Sequence, residues 1–195
     1  DVAPSRGLGD VYKRQIFTFD KLLQRLQLGK EVTPFVIWRE NDLFGTHDNP
    51  VKIDIPCLFL CLDGEMQLDI NLQSYRFNRE HLLCFIAPCA CRIVSRSPGF
   101  RCVGLLLSKS FWRQLVLAER TLGKIAIRDA FIAVNDDEHG RLTRFYELLC
   151  LCADAPGLRD SADTLYPLIL GMFCQVRNIL SLIHISEPTR RSYIS

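Results

Sequence analysis

A chain of 195 residues with 24 Lys and Arg against 22 Asp and Glu sits near neutrality, at +2, and lacks the basic excess that a phosphate-binding surface requires. At 48% hydrophobic residues it suits one domain with a substantial core, yet no run approaches the roughly 18 apolar residues of a membrane span. The nine cysteines are odd in number and lie mostly in apolar runs, which excludes a fully paired disulfide framework and fits free thiols acting as core hydrophobes in a reducing cytoplasm.

Taken in chain order, the first segment has to be read together with the last. Residues 5–15 are SRGLGDVYKRQ and residues 180–190 are LSLIHISEPTR. Written as GAT-GTG-TAT-AAG-AGA-CAG, residues 10–15 have the reverse complement CTG-TCT-CTT-ATA-CAC-ATC, which encodes the residues at 180–185. Residues 5–9 give the residues at 186–190 in the same way. Both segments resemble transposon-library sequencing adapters translated in frame, so 1–15 and 180–195 are expected to be adapter-derived and are left out of the fold reasoning. Without Arg6, Lys13, Arg14, Arg190 and Arg191, and without Asp1, Asp10 and Glu187, the remainder is neutral.

Residues 16–32 form an N-terminal arm, and from 33 to 108 the pattern is short strands punctuated by turns. The first strand ends at Trp38 and Arg39, which offer a stacking surface and a donor fork to a ligand; an ion pair beside Glu40 is the plainer reading of Arg39. The clearest element is a hairpin: Leu58 to Leu62, the turn Asp63-Gly64, then strict alternation of Met66, Leu68, Ile70 and Leu72 with Glu65, Gln67, Asp69 and Asn71. This register places Cys61 opposite Met66 and Phe59 opposite Leu68 on one inner face. Phe59, Cys61, Met66 and Leu68 are then either the walls of a pocket or plain core. Further strands are expected at Ser74 to Phe77, Leu82 to Ala87, Cys91 to Ser95 and Arg101 to Leu107. Many short strands at near-regular spacing predict a sandwich or barrel.

From 109 to 179 the period becomes helical. Ser108 caps a helix with Phe111, Trp112, Leu115 and Val116 on its apolar side. Asn135 and Glu138 form a capping-box pattern that opens a second helix carrying Leu142, Phe145, Leu148, Leu149 and Cys152. A last helix starts around Ser161 to Asp163, with Pro167 tolerable only in its first turn. Its stripe of Leu165, Ile169, Met172 and Val176 either covers the strands or forms a dimer seam; amphipathic spacing does not separate the two.

The order LFLCLDGEMQLDIN, YRFNREHLLCFIAP, LLLSKSFW, FYELLCL and LYPLILGMFCQV resembles the N-terminal half of AraC/XylS-family transcription regulators. That resemblance implies an α+β fold: a cupin-like β-barrel (double-stranded β-helix) at 33–108, followed by an α-helical dimerisation segment at 109–179. It further implies a small-molecule effector of sugar-like kind, an arm closing over it, a homodimer, and DNA contacted only through a C-terminal helix-turn-helix domain that this chain lacks.

Enzymatic cupins use a His-x-His pair with a nearby Glu, because alternate strand residues converge on one metal. The stretch 64–70 contains no histidine, and His47, His81 and His139 are scattered. Cys57 with Cys61 and Cys89 with Cys91 each share a strand face, but neither pair has the spacing of a structural zinc site. There is no G-x-S-x-G elbow or phosphate-cradling glycine loop, and the carboxylates of Asp136, Asp137 and Glu138 suit a helix dipole. The chain is therefore expected to be a regulator without metal or cofactor rather than an enzyme. A metal-dependent cupin isomerase or dioxygenase is the alternative, and a ligand-independent dimerisation domain with a filled interior is the third reading.

Overall fold

A computed structural model describes residues 16–28, 34–39, 50–86, 88–125, 130–155 and 162–186. In chain order the elements are β1 (Ile16–Thr18), α1 (Phe19–Arg25), β2 (Phe35–Trp38), β3 (Val51–Asp54), β4 (Cys57–Asp63), β5 (Met66–Ile70), β6 (Gln73–Phe77), β7 (His81–Phe85), β8 (Cys89–Arg96), β9 (Arg101–Leu107), α2 (Lys109–Ala118), β10 (Phe131–Ala133), α3 (Asp136–Asp154) and α4 (Ala162–Ser186). A short 3-10 turn, Arg120–Lys124, follows α2. Residues 1–15 and 187–195, Glu40, His47 and Ser161 lie outside the described residues, while the last helix runs on past Ile179.

The strands form two five-stranded sheets, ordered β1-β3-β8-β5-β6 and β10-β7-β4-β9-β2. They face each other across one apolar cluster, and α2, α3 and α4 cover the far side of the second sheet through another. The three layers explain the two kinds of strand. β4, β7 and β9 lie between sandwich interior and helices, so both faces are buried and their sequences read as unbroken apolar runs. β5 has one wet face, and it alternates.

The expected barrel is not closed by hydrogen bonds: among the described residues no ladder joins the sheets. One seam is bridged by side chains instead, with Tyr75 on β6 against Phe131 on β10 at 4.8 Å between ring centroids. The β4–β5 hairpin is also corrected. β4 pairs with β7 and β9, so Cys61 opposes Cys102 and Phe59 opposes Leu83 and Gly104. β5 pairs with β6 and β8, placing Met66 opposite Phe77 and Leu68 opposite Tyr75. Asp63-Gly64 is a corner between sheets. A Cβ on Gly64 would lie 2.6 Å from Ser97 Oγ and 2.9 Å from Phe100 Cα, and its φ of +69° suits glycine. The true hairpin turn is Asn71-Leu72, whose φ values of 49° and 71° are the paired positive angles of a tight strand reversal.

The helix starts follow the sequence reading. Ser108 Oγ accepts from Phe111 N at 3.2 Å, and both bonds of the Asn135–Glu138 capping box are present at 2.9 Å. Pro167 is not in the first turn of α4 but inside the helix. Leu165, Ile169, Met172 and Val176, put forward as a dimer seam, are at most 2% exposed and belong to the core shared with α3 and the second sheet. Burying such side chains contributes about 1.5–3 kcal/mol each, so the stripe is engaged within the chain.

Candidate functional site

The sandwich interior is built mainly from alternate residues of β4 to β9. Gly104 on β9 sits between Phe59 on β4 and Trp38 on β2 in register. A Cβ at Gly104 would come within 2.4 Å of the Phe59 ring, so only glycine lets that ring lie flat across the strand. Beside Phe59 is a cavity of about 30 Å³, walled by Met66, Leu68, Phe77, Phe85, Ile93 and Phe100. Its lining residues of other chemistry are Arg96, at the end of β8, and the thiols of Cys91, on β8, and Cys102, on β9. The space is roughly that of one water molecule, so a larger occupant requires side chains to move.

An apolar chamber with one guanidinium at its lining discriminates by chemistry. A polyhydroxylated sugar would leave hydroxyls without partners, at about 1–3 kcal/mol apiece. The sugar-like expectation is therefore at odds with this cavity. A molecule with an apolar body and a single carboxylate suits it, since guanidinium–carboxylate pairing is directional and strong.

The arm packs into the same interior cluster without lining the cavity. β1 pairs in parallel with β3, Ile16 opposite Lys52 and Thr18 opposite Asp54. Thr18 caps α1 by accepting from Lys21 N at 3.3 Å, and Leu22 and Leu23 of that helix are buried in the interior cluster.

Of the residues expected to touch a ligand, Phe59, Met66 and Leu68 line the cavity. Trp38 and Cys61 are buried in the same interior cluster but do not line it. Arg39 points elsewhere: its guanidinium makes a two-pronged pair with Asp154 at 2.7 and 3.0 Å, tying the end of β2 to the end of α3. Sequence reasoning missed Arg96, Phe77, Phe85 and Phe100. Arg96, Phe77 and Phe85 end strands and Phe100 follows a turn, positions where alternation gives no inward or outward signal.

Five of the thiols are chemically quiet. Burial pushes the Cys61 thiol up to about 11 and those of Cys84, Cys89, Cys91 and Cys102 up to about 12. They are protonated near neutrality, the form that neither attacks nor ligates. Among the described residues no three His, Cys, Asp or Glu side chains gather as a metal site. His81 meets Asn78 Oδ1 at 2.7 Å and stacks on Phe131, and burial lowers its pKa. His139 donates from Nε2 to the Cys61 carbonyl at 2.8 Å. A second hollow, an open groove of about 440 Å³ on the outer face of β5, β6 and β8, is polar. Its charges pair with one another, Arg92 with Asp69 and Arg76 with Glu65.

No protein-family model matches the sequence, and no curated protein does. Among solved structures, the chain is similar to an apo lysine-to-alanine variant of ToxT from Vibrio cholerae, with a TM-score of 0.47 and 13% identity over 75% of this chain and 56% of that one. It is also similar to ToxT from Vibrio cholerae bound to (E)-4-(8-methylnaphthalen-1-yl)but-3-enoic acid, with a TM-score of 0.39 and 14% identity over 75% and 57%. The chain thus spans little more than half the length of these proteins. No helix among the described residues is long and apolar enough to cross a membrane.

Proposed function

We propose that this chain is the effector-sensing part of an AraC-type transcription regulator, with a cupin-like sandwich as receptor, and that it is not an enzyme. In this reading the effector is an apolar monocarboxylate held with its body among Phe59, Phe77, Phe85 and Phe100 and its carboxylate at Arg96. The observation that carries it is the apolar cavity with a single guanidinium at its lining. In this reading the arm, which buries Leu22 and Leu23 in the interior cluster, serves as the lid, and the helical layer on the opposite face of the second sheet as the output. Homodimerisation belongs to the proposal too, through surfaces other than the buried stripe of α4, as does DNA binding through a part of the regulator outside these residues.

The test is a ligand titration followed by thermal melting and intrinsic fluorescence, with decanoate and benzoate against decanol and arabinose. Binding of a carboxylate, weakened about tenfold or more by Arg96→Gln, is the expected result. Arabinose binding with no carboxylate response would overturn the ligand class. A second reading, the ligand-independent scaffold, is favoured by the small size of the cavity, and absence of any response would leave that reading in place.

A further inference from the structure

Three polar contacts fix α3 to one end of the second sheet, and two of them end on main-chain carbonyls. His139 Nε2 donates to the carbonyl of Cys61 at 2.8 Å, and Tyr146 Oη donates to the carbonyl of Trp38 at 2.5 Å. The third is the Arg39–Asp154 pair one residue beyond Trp38. Positions 139, 146 and 154 lie about two turns apart, so they share one helix face. Burial raises the Tyr146 hydroxyl well above its usual range, which keeps it a donor.

The residues whose carbonyls are held have side chains in the sandwich interior. Trp38 lies in register beside Gly104, and Gly104 beside Phe59, so the row β4–β9–β2 carries the cavity wall at one end and the Tyr146 contact at the other. At Cys61 the β4–β9 ladder changes register, and this is where His139 attaches. Because Phe59 already fills the space a Cβ would take at Gly104, a displaced ring has to push on β9.

We infer that α3 is the output element of the sandwich, and that Tyr146 is a positioning residue which transmits the packing around Phe59 to the helical layer. This supplies the regulation of the site proposed above and rests on that reading for its purpose.

Hydrogen exchange on the full chain tests it without any ligand, so failure of the carboxylate titration leaves the result readable. Phe59→Leu enlarges the cavity and Gly104→Ala displaces the ring; each is made alone and combined with Tyr146→Phe. The expected result is that either interior change speeds exchange of α3 amides about tenfold or more relative to α2, and that the response drops at least threefold once Tyr146 is Phe. A merely structural Tyr146 would shift the α3 baseline while leaving the response to Phe59→Leu intact. That persistence would overturn the proposal, as would α3 and α2 responding alike. Should Gly104→Ala not fold, Phe59→Leu, which only removes atoms, carries the comparison by itself.

Discussion

Leu72 occupies the second position of the β5–β6 turn with φ of 71° and 93% of its surface exposed. A left-handed conformation costs a side chain with a Cβ roughly 1–2 kcal/mol, and this leucine recovers almost nothing by packing. Leu72→Gly is expected to stabilise the chain by about 0.5–1 kcal/mol, after allowing for the greater freedom of glycine when unfolded. A higher midpoint in urea denaturation would register it; an unchanged or lower midpoint would mean that Leu72 has a contact worth keeping. Asn71 beside it tolerates its own positive φ and also accepts from Ala90 N at 3.0 Å. At this scale the sequence was partly misleading. Asp63-Gly64 has the composition of a hairpin turn and serves as a corner, while the actual turn carries a leucine that composition would never nominate.

At the scale of elements, periodicity recovered where strands and helices lie better than which of them touch. The alternation of β5 states that one face is wet, and this held. It says nothing about partners, and adjacency in sequence alone points to β4 as the neighbour. The signal against that assignment was present: Leu58 and Leu60 make β4 apolar on both faces, as a strand between two packed layers must be. The same ambiguity affected α4, whose stripe turned out to be core. Capping was legible because it is local, three residues from donor to acceptor. Pro167 was legible as a problem but misplaced, since it sits inside α4 on its exposed side. Proline cannot donate to the carbonyl four residues back, so Pro167→Ala is expected to stabilise the helix by about 1–3 kcal/mol, read as a higher melting temperature. A fall in melting temperature would show that the bend proline imposes is needed for α4 to follow the sheet.

For the molecule as a whole, the buried thiols set a limit on alkaline stability. An ordinary thiol titrates at 9.0, whereas burial raises Cys61 to about 11 and Cys84, Cys89, Cys91 and Cys102 to about 12. A folded-state pKa above the unfolded one contributes stability that is fully present below pH 9 and is lost as the pH rises toward 11 to 12. Each such thiol costs about 1.4 kcal/mol per pH unit within that window. Urea midpoints are therefore expected to be level between pH 7 and 8 and to fall steeply by pH 10; a flat profile through pH 10 would show that these thiols are less buried than described. The candidate site was the least legible feature at this scale. Its aromatic wall is assembled from Phe59, Phe77, Phe85 and Phe100, which meet only because two sheets cross over at Gly64 and at the turns after β6 and β8.

The way the second sheet is threaded also has a temporal side. Its edge strand β2 pairs with β9, Phe35 opposite Leu107, and β4 fills its place between β9 and β7. An early strand must therefore wait for nearly the last one before it has a neighbour, and closing so long a loop is slow compared with forming a local hairpin. On a ribosome, β2 and β4 emerge as bare apolar ribbons well before β9 exists to separate them. The β5–β6 hairpin, whose pairing is local, can already be in place by then. Expression yield should accordingly depend on chaperone supply and growth temperature more than the equilibrium stability of the finished chain would suggest.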